Sequence, residues 1–176
     1  MRSRSTFGGP QLRSNPLERM KLIIYKHIAI VVSIGLYALS LTQDAYYIAG
    51  DDPKAWASGW VLLLLGWIGA IGFDAGLAWF ANPLLFISWV MHFTKNELGS
   101  VKAGAVATAF ALSFLLFDKV ISSEAPTYSE IIGYGFGYWL WLSSCAIIGL
   151  QFMPQIIRWL NKLFITYRSR SNKSPS

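Results

Sequence analysis

The sequence predicts an all-α fold: a transmembrane helical bundle of four spans plus a short Pro-broken segment that is re-entrant or interfacial, with five spans as the alternative. Three observations predict it. Of 176 residues, 54% are hydrophobic and only 14% charged, against about 25% charged in a soluble domain. Four apolar runs each approach the ~20 helical residues that cross ~30 Å of hydrocarbon. Finally, the 15 Lys and Arg crowd toward the two ends. Arg2, Arg4, Arg13, Arg19, Lys21 and Lys26 lie before residue 27, and Arg158, Lys162, Arg168, Arg170 and Lys173 lie after residue 157. Basic ends around an apolar middle mark a polytopic membrane protein with both termini in the cytoplasm. The net charge of +6 would suggest nucleic acid in a soluble protein. Beside a bilayer the same charges serve the anionic leaflet, so no nucleic-acid partner is expected.

Residues 1–21 read as a disordered basic cytoplasmic tail. The stretch before the first apolar run is too long for a secretory n-region, and "YALSLTQDAYY" offers a poor cleavage site, so that run is a retained anchor. The bundle occupies 22–153. Its runs are 22–41, 56–73, 101–117 and 131–153. All backbone groups must bond internally in lipid, and the runs are continuous rather than alternating, so each is read as a helix.

Between the second and third runs lies 74–94, with Asp74 and the Asn82-Pro83 pair. Proline lacks an N–H and disfavours helix at the residue before it. Charge bias favours a segment that does not cross. The loop 42–55 then lies outside with Asp44, Asp51 and Asp52, as does 118–130 with Asp118, Glu124 and Glu130; Lys95, Lys102 and the basic tail fall inside. If 74–94 crosses, the tail is outside, which fits worse. Aromatic belts agree, with Tyr46, Tyr47, Trp56, Trp60, Tyr128, Tyr134 and Tyr138 at the outer face and Tyr25, Trp79, Trp89 and Trp159 at the inner.

Residues 154–168 predict a basic amphipathic interfacial helix. Ile156, Ile157, Leu160, Leu163, Phe164 and Tyr167 share one side, and the membrane-surface residues Arg158, Lys162 and Arg168 lie on the other. Residues 169–176 are a disordered tail by composition.

Asp74, Asn82 and Pro83 are the candidate functional or structural residues. Counting along the second run places Asp74 near the inner interface. There it reads as the cap of a segment beginning at Ala75, with an ion or proton ligand and a partner-helix salt bridge as the sharper readings. Small residues form two packing stripes, Gly66, Gly69, Ala70 and Gly72 in the second run and Ala103, Ala107 and Ala111 in the third. Such stripes let helices approach closely, within the chain or between copies. The glycines of "GYGFGYWLW" suit an outer interface and lack the flanks of an ion filter. His27 and His92 show no metal-ligand spacing, Cys145 reads as a small buried side chain, and no catalytic motif is present. No metal or cofactor is expected.

At "ALSLTQDAYY", "GWVLLLLGWIG" and "WFANPLLFISW" the sequence resembles small bacterial polytopic inner-membrane proteins. The likeness covers residues 36–90; it implies a bacterial inner membrane and brings no activity with it. The leading expectation is therefore a non-enzymatic membrane protein that acts by helix–helix association, as an accessory subunit, scaffold, or exclusion or defence component. Its partners would be the lipid bilayer and a second copy or another membrane protein. The alternatives are a small homo-oligomeric channel, resting on Asp74, Asn82 and Ser88, and an intramembrane enzyme.

Overall fold

The structure, a computed structural model, describes residues 16–50, 52–54, 56–71, 75–121, 128–153, 157, 161 and 164–165. It is mostly helical. The elements run α1 (Pro16–Ser40), β1 (Tyr46–Ile48), α2 (Gly59–Ile71), a 3-10 stretch (Ala75–Phe80) continuing into α3 (Ala81–Phe93), and α4 (Glu97–Ser113) with a 3-10 end (Phe114–Leu116). Then come β2 (Lys119–Ile121), β3 (Tyr128–Tyr134), and α5 (Phe136–Gly149) with a 3-10 end (Leu150–Phe152).

Helix α1 begins earlier than the expected tail boundary at residue 21. Pro16 is its first residue, where a missing N–H costs nothing, and "LERMK" that follows is built of good helix formers. Of the expected interfacial helix, Ile157, Asn161, Phe164 and Ile165 are helical. The three apolar ones are exposed. Arg158, Lys162, Arg168 and both terminal tails lie outside the described residues.

Four helical columns pack antiparallel: α1, the 75–93 column, α4 and α5. Their ends can be matched through side-chain contacts. At one end Lys26 of α1 pairs with Glu97 of α4, and His27 meets His92 of α3. At the other end a cluster joins Tyr46, Ala57, Ala75, Phe114 and Tyr138. Between them Ala81 and Leu85 of α3, Ala107 and Ala111 of α4, Tyr37 and Cys145 form the inner core. By rise per residue, the 75–93 column and the 97–116 column are each about 31 Å long.

The expected break at Asn82-Pro83 does not occur. The helical run Ala75–Phe93 passes through it and, among the described residues, is one of two runs long and apolar enough to cross a membrane, the other being Glu97–Leu116. Pro83 is the third residue of α3, where the tighter 3-10 pitch gives way to α. In a first α-turn its lost hydrogen bond costs least. The shorter apolar helices are Ile24–Ser40, Gly59–Ile71 and Phe136–Gly149.

The segment that stays at one end is α2. Its first residue, Gly59, donates its N–H to Gln43 O at 3.1 Å and abuts the Ser40 backbone. Eleven residues on, Ala70 and Gly69 lie against Gly76, one residue from Ala75 of the sheet-end cluster. Midway, Trp79 Nε1 donates to Leu63 O at 3.0 Å. Both ends of α2 thus sit near the sheet, and α2 with residues 75–80 forms a hairpin there.

A small sheet, ordered β1-β3-β2 and antiparallel throughout, closes that end. Sequence reading made 131–134 the start of a helix; these residues belong to β3. Their backbone groups ladder with β1, and Ile131 N donates to Asp118 O at 2.8 Å, which is the alternative to a helix for satisfying an apolar backbone. Gly135 and Gly137 then bring the start of α5 against the Asp44 backbone: Gly135 N donates to Ala45 O at 2.8 Å and Gly137 N to Asp44 O at 3.0 Å. A side chain at Gly137 would meet Asp44 O at 2.8 Å. This close approach accounts for two of the alternating glycines.

Two outcomes follow. At Gly76 a Cβ would overlap the backbone of Gly69 and Ala70, so Gly76→Ala is expected to lower stability by about 1–3 kcal/mol through overpacking, read by thermal unfolding of the purified chain. Separately, burial pushes the Tyr46 hydroxyl up to about 12. A raised folded-state value means its contribution is intact below the ordinary pKa of 10.0 and is lost as pH climbs toward 12. Tyr46→Phe should therefore flatten stability loss between pH 10 and 12, followed by alkaline unfolding.

Candidate functional site

The polar side chains inside the bundle bond helix to helix. Ser33 of α1 donates to Ser144 O of α5 at 2.9 Å, and Ser144 Oγ returns a bond to Ser33 O at 2.9 Å. Trp89 Nε1 of α3 donates to Ser33 Oγ at 3.0 Å. Between α3 and α4, Ser88 Oγ donates to Ser100 O at 2.8 Å. One turn and a half toward the sheet, Asn82 Oδ1 accepts from Tyr37 Oη at 3.1 Å and from Trp141 Nε1 at 2.9 Å. Two donors on one atom settle which amide atom is the oxygen. Asn82 is 7% exposed, and its Nδ2 has no bonded acceptor among the described residues.

Asn82 also borders a partly open cavity of about 630 Å³. Helix α2 forms one wall, from Gly59 to Gly69. Trp79, Tyr37, Trp141 and Tyr138 form the inner side, and Phe114 and Val120 close the sheet end. Among the described residues its lining includes no charged side chain. The cavity exists because α2 lies across the bundle and is held to it at glycine contacts rather than along a full helical seam.

The predicted residues divide accordingly. Asn82 and Pro83 share the first turn of α3, but only Asn82 reaches the cavity. Asp74 and Gly72 lie outside the described residues. Gly66 lies against the Trp79 ring, Gly69 against Gly76, and Ala70 is buried. Ala107 and Ala111 are fully buried, whereas Ala103 is only half-buried; the seam of α4 is completed by Ser100 and Gly104. Gly104 faces Ile148, and Gly149 faces Thr108 of α4. Ser88 and Asn82, expected as weak pore lining, face within the chain.

Trp79 and Trp89, expected in an inner aromatic belt, satisfy their indole N–H groups inside the molecule instead. Tyr46 and Tyr138, expected at the outer belt, are buried at the sheet end, with Tyr138 Oη donating to Ala111 O at 3.1 Å. Sequence spacing also missed the His27–His92 pair, whose ring nitrogens stand 3.1 Å apart. These residues are 65 positions apart and meet only because α1 and α3 are antiparallel neighbours. Among the described residues no third metal-ligating side chain joins them. In the sheet-end loop, Lys54 bonds Asp44 at 2.9 Å, and that hydrogen bond raises the Lys54 pKa.

No protein-family model, curated protein or solved structure matches the chain.

The Asn82 junction supports a graded expectation. Tyr37→Phe removes one donor and should cost about 0.5–1.5 kcal/mol. Asn82→Leu strands two buried donors and should cost about 2–5 kcal/mol. Chemical or thermal unfolding in detergent, with helix content as the signal, checks the order.

Proposed function

We propose that the chain is a non-enzymatic integral membrane protein that acts by helix–helix association, as an accessory subunit, a scaffold, or an exclusion or defence component. In this reading α1, the 75–93 column, α4 and α5 each cross the bilayer, and α2 folds back as a non-crossing hairpin at the outer face. Both termini then lie in the cytoplasm. A bacterial inner membrane, which the sequence resemblance implies, is the proposed location.

The observation that carries the reading is the distribution of apolar surface on the bundle. Only 28% and 33% of the two longest apolar runs are buried inside the molecule, whereas a core helix of a soluble protein buries most of its length. The outward residues include Val31, Ile34, Ile87, Val90, Val106 and Leu112. Such a continuous apolar exterior needs lipid or another apolar partner to cover it. The two columns of about 31 Å match a hydrocarbon layer of about 30 Å. Charge is compatible with the same orientation: Lys26 and Lys95 lie at the end opposite the sheet, and Asp44 and Glu130 lie at the sheet end. Small-residue contacts such as Gly104–Ile148 and Gly76–Gly69 support close helix packing as the working principle. The channel reading draws less support, since Ser88 and Asn82 are engaged within a single copy.

A two-state reporter fused after Ser176, enzymatically active outside and fluorescent inside, tests the topology. A cytoplasmic signal, with the chain resisting carbonate extraction, is the expected outcome. A signal outside would mean that five segments cross, and release by carbonate would remove the membrane reading altogether.

A further inference from the structure

We propose that the cavity between α2 and the bundle binds a neutral, lipid-soluble molecule whose carbonyl oxygen accepts a hydrogen bond from Asn82 Nδ2. Size comes first. At about 630 Å³ the space falls within the ~300–1,000 Å³ typical of small-molecule sites. Its chemistry narrows the ligand. Among the described residues of the lining none is charged, and against that lining an ionic ligand would be left unpaired in an apolar environment, which is strongly unfavourable. Trp79, Trp141, Tyr138 and Phe114 supply flat apolar surface, suited to a ring or a conjugated head.

The polar requirement is set by elimination among the buried donors. Tyr37 Oη and Trp141 Nε1 are bonded to Asn82. Ser40 Oγ bonds Tyr37 O, Tyr46 Oη reaches Trp56 O at 3.5 Å, Trp79 Nε1 bonds Leu63 O, and Tyr138 Oη bonds Ala111 O. The Asn82 amide N–H₂ is left. It is a donor, so it selects an acceptor: a carbonyl or a similar neutral oxygen. A buried donor without a partner is costly, and a bound carbonyl removes that cost. Asn82 thus has two roles, with its oxygen holding α1 and α5 and its nitrogen facing ligand chemistry.

The supply of the ligand from the bilayer rests on the membrane reading, but the binding itself does not, so the two are measured separately. Carbonate extraction scores membrane insertion. Binding is scored on the purified full-length chain in detergent, by the saturable rise of the unfolding midpoint with added probe. The probes are decylubiquinone, a neutral alkylated quinone with two carbonyls, and decylbenzene, which has none.

Decylubiquinone is expected to bind saturably, and about threefold to tenfold more tightly than decylbenzene, the value of one net hydrogen bond. In Asn82→Leu that preference should vanish; comparing two probes on one variant cancels its loss of stability. Val61→Trp, which fills the cavity from the α2 side, should abolish binding of both. Absence of saturable binding by decylubiquinone overturns the site. Equal binding of the two probes to the natural chain overturns the carbonyl assignment. Undiminished binding by Val61→Trp overturns its location. The wild-type comparison and Val61→Trp keep the test decisive even where Asn82→Leu does not fold.

Discussion

Asn82 Oδ1 accepts hydrogen bonds from two other helices at once, and the register of the bundle depends on that atom. Tyr37 reaches it from α1 and Trp141 from α5. Sliding any of the three helices by one turn, about 5.4 Å, would strand buried donors with no water to replace the partner. An apolar seam alone permits such slips, because one leucine or alanine contact is much like the next. With this level set, the contacts on either side follow. Ser33, Ser144 and Trp89 meet in the direction of the ion-paired end. Ala81, Leu85, Ala107 and Cys145 close around the junction.

The two ends of the bundle solve the same backbone problem differently. At one end α3 and α4 turn through Thr94, Lys95 and Asn96, and Asn96 caps α4 by accepting from Gly99 N at 3.0 Å. Lys95 takes a positive φ in that turn. At the other end the connections are longer, and β1, β2 and β3 bond one another rather than facing outward. The sheet also fixes where α5 begins, because Gly135 and Gly137 must lie on the Asp44 backbone. A bulge between Tyr47 and Ile48 shifts the β1 register, an irregularity typical of short strands that must also meet helices.

Helix α2 is where the architecture departs from a simple bundle. It is intensely apolar, yet at 13 residues it is about 20 Å long, too short to run beside the longer columns. Glycine contacts at Gly59, Gly66 and Gly69 bring it close at a few points, and the space between those points is the cavity. The same hairpin that keeps α2 at the sheet end therefore creates the concave surface on which Asn82 opens. The proposed association through the outer apolar faces and the proposed ligand binding beneath α2 would use different surfaces and need not compete.

The mostly helical class and the grouping of loops 42–55 and 118–130 were legible from the amino-acid order alone. Residues 42–55 and 118–130, expected on one side, contribute strands of one sheet, and Lys95 lies at the end of the bundle that holds Lys26. The burial of Ala107 and Ala111 was also legible, because small residues at i, i+4 have few uses except close packing. Legibility ended where a result depended on pairing between distant segments. Hydropathy gives a segment's length and polarity but not its tilt, so it could not show that α2 pairs with residues 75–80 at the sheet end. Proline's local cost suggested a break that a 3-10 to α junction absorbs. Strand β3 looked like helix because its ladder partners lie far away in sequence. Only the tertiary structure decided that Asn82 meets Tyr37 and Trp141, that His27 meets His92, and that a cavity remains. Those facts depend on which helix faces which, and side-chain periodicity along one helix carries no information about its neighbour.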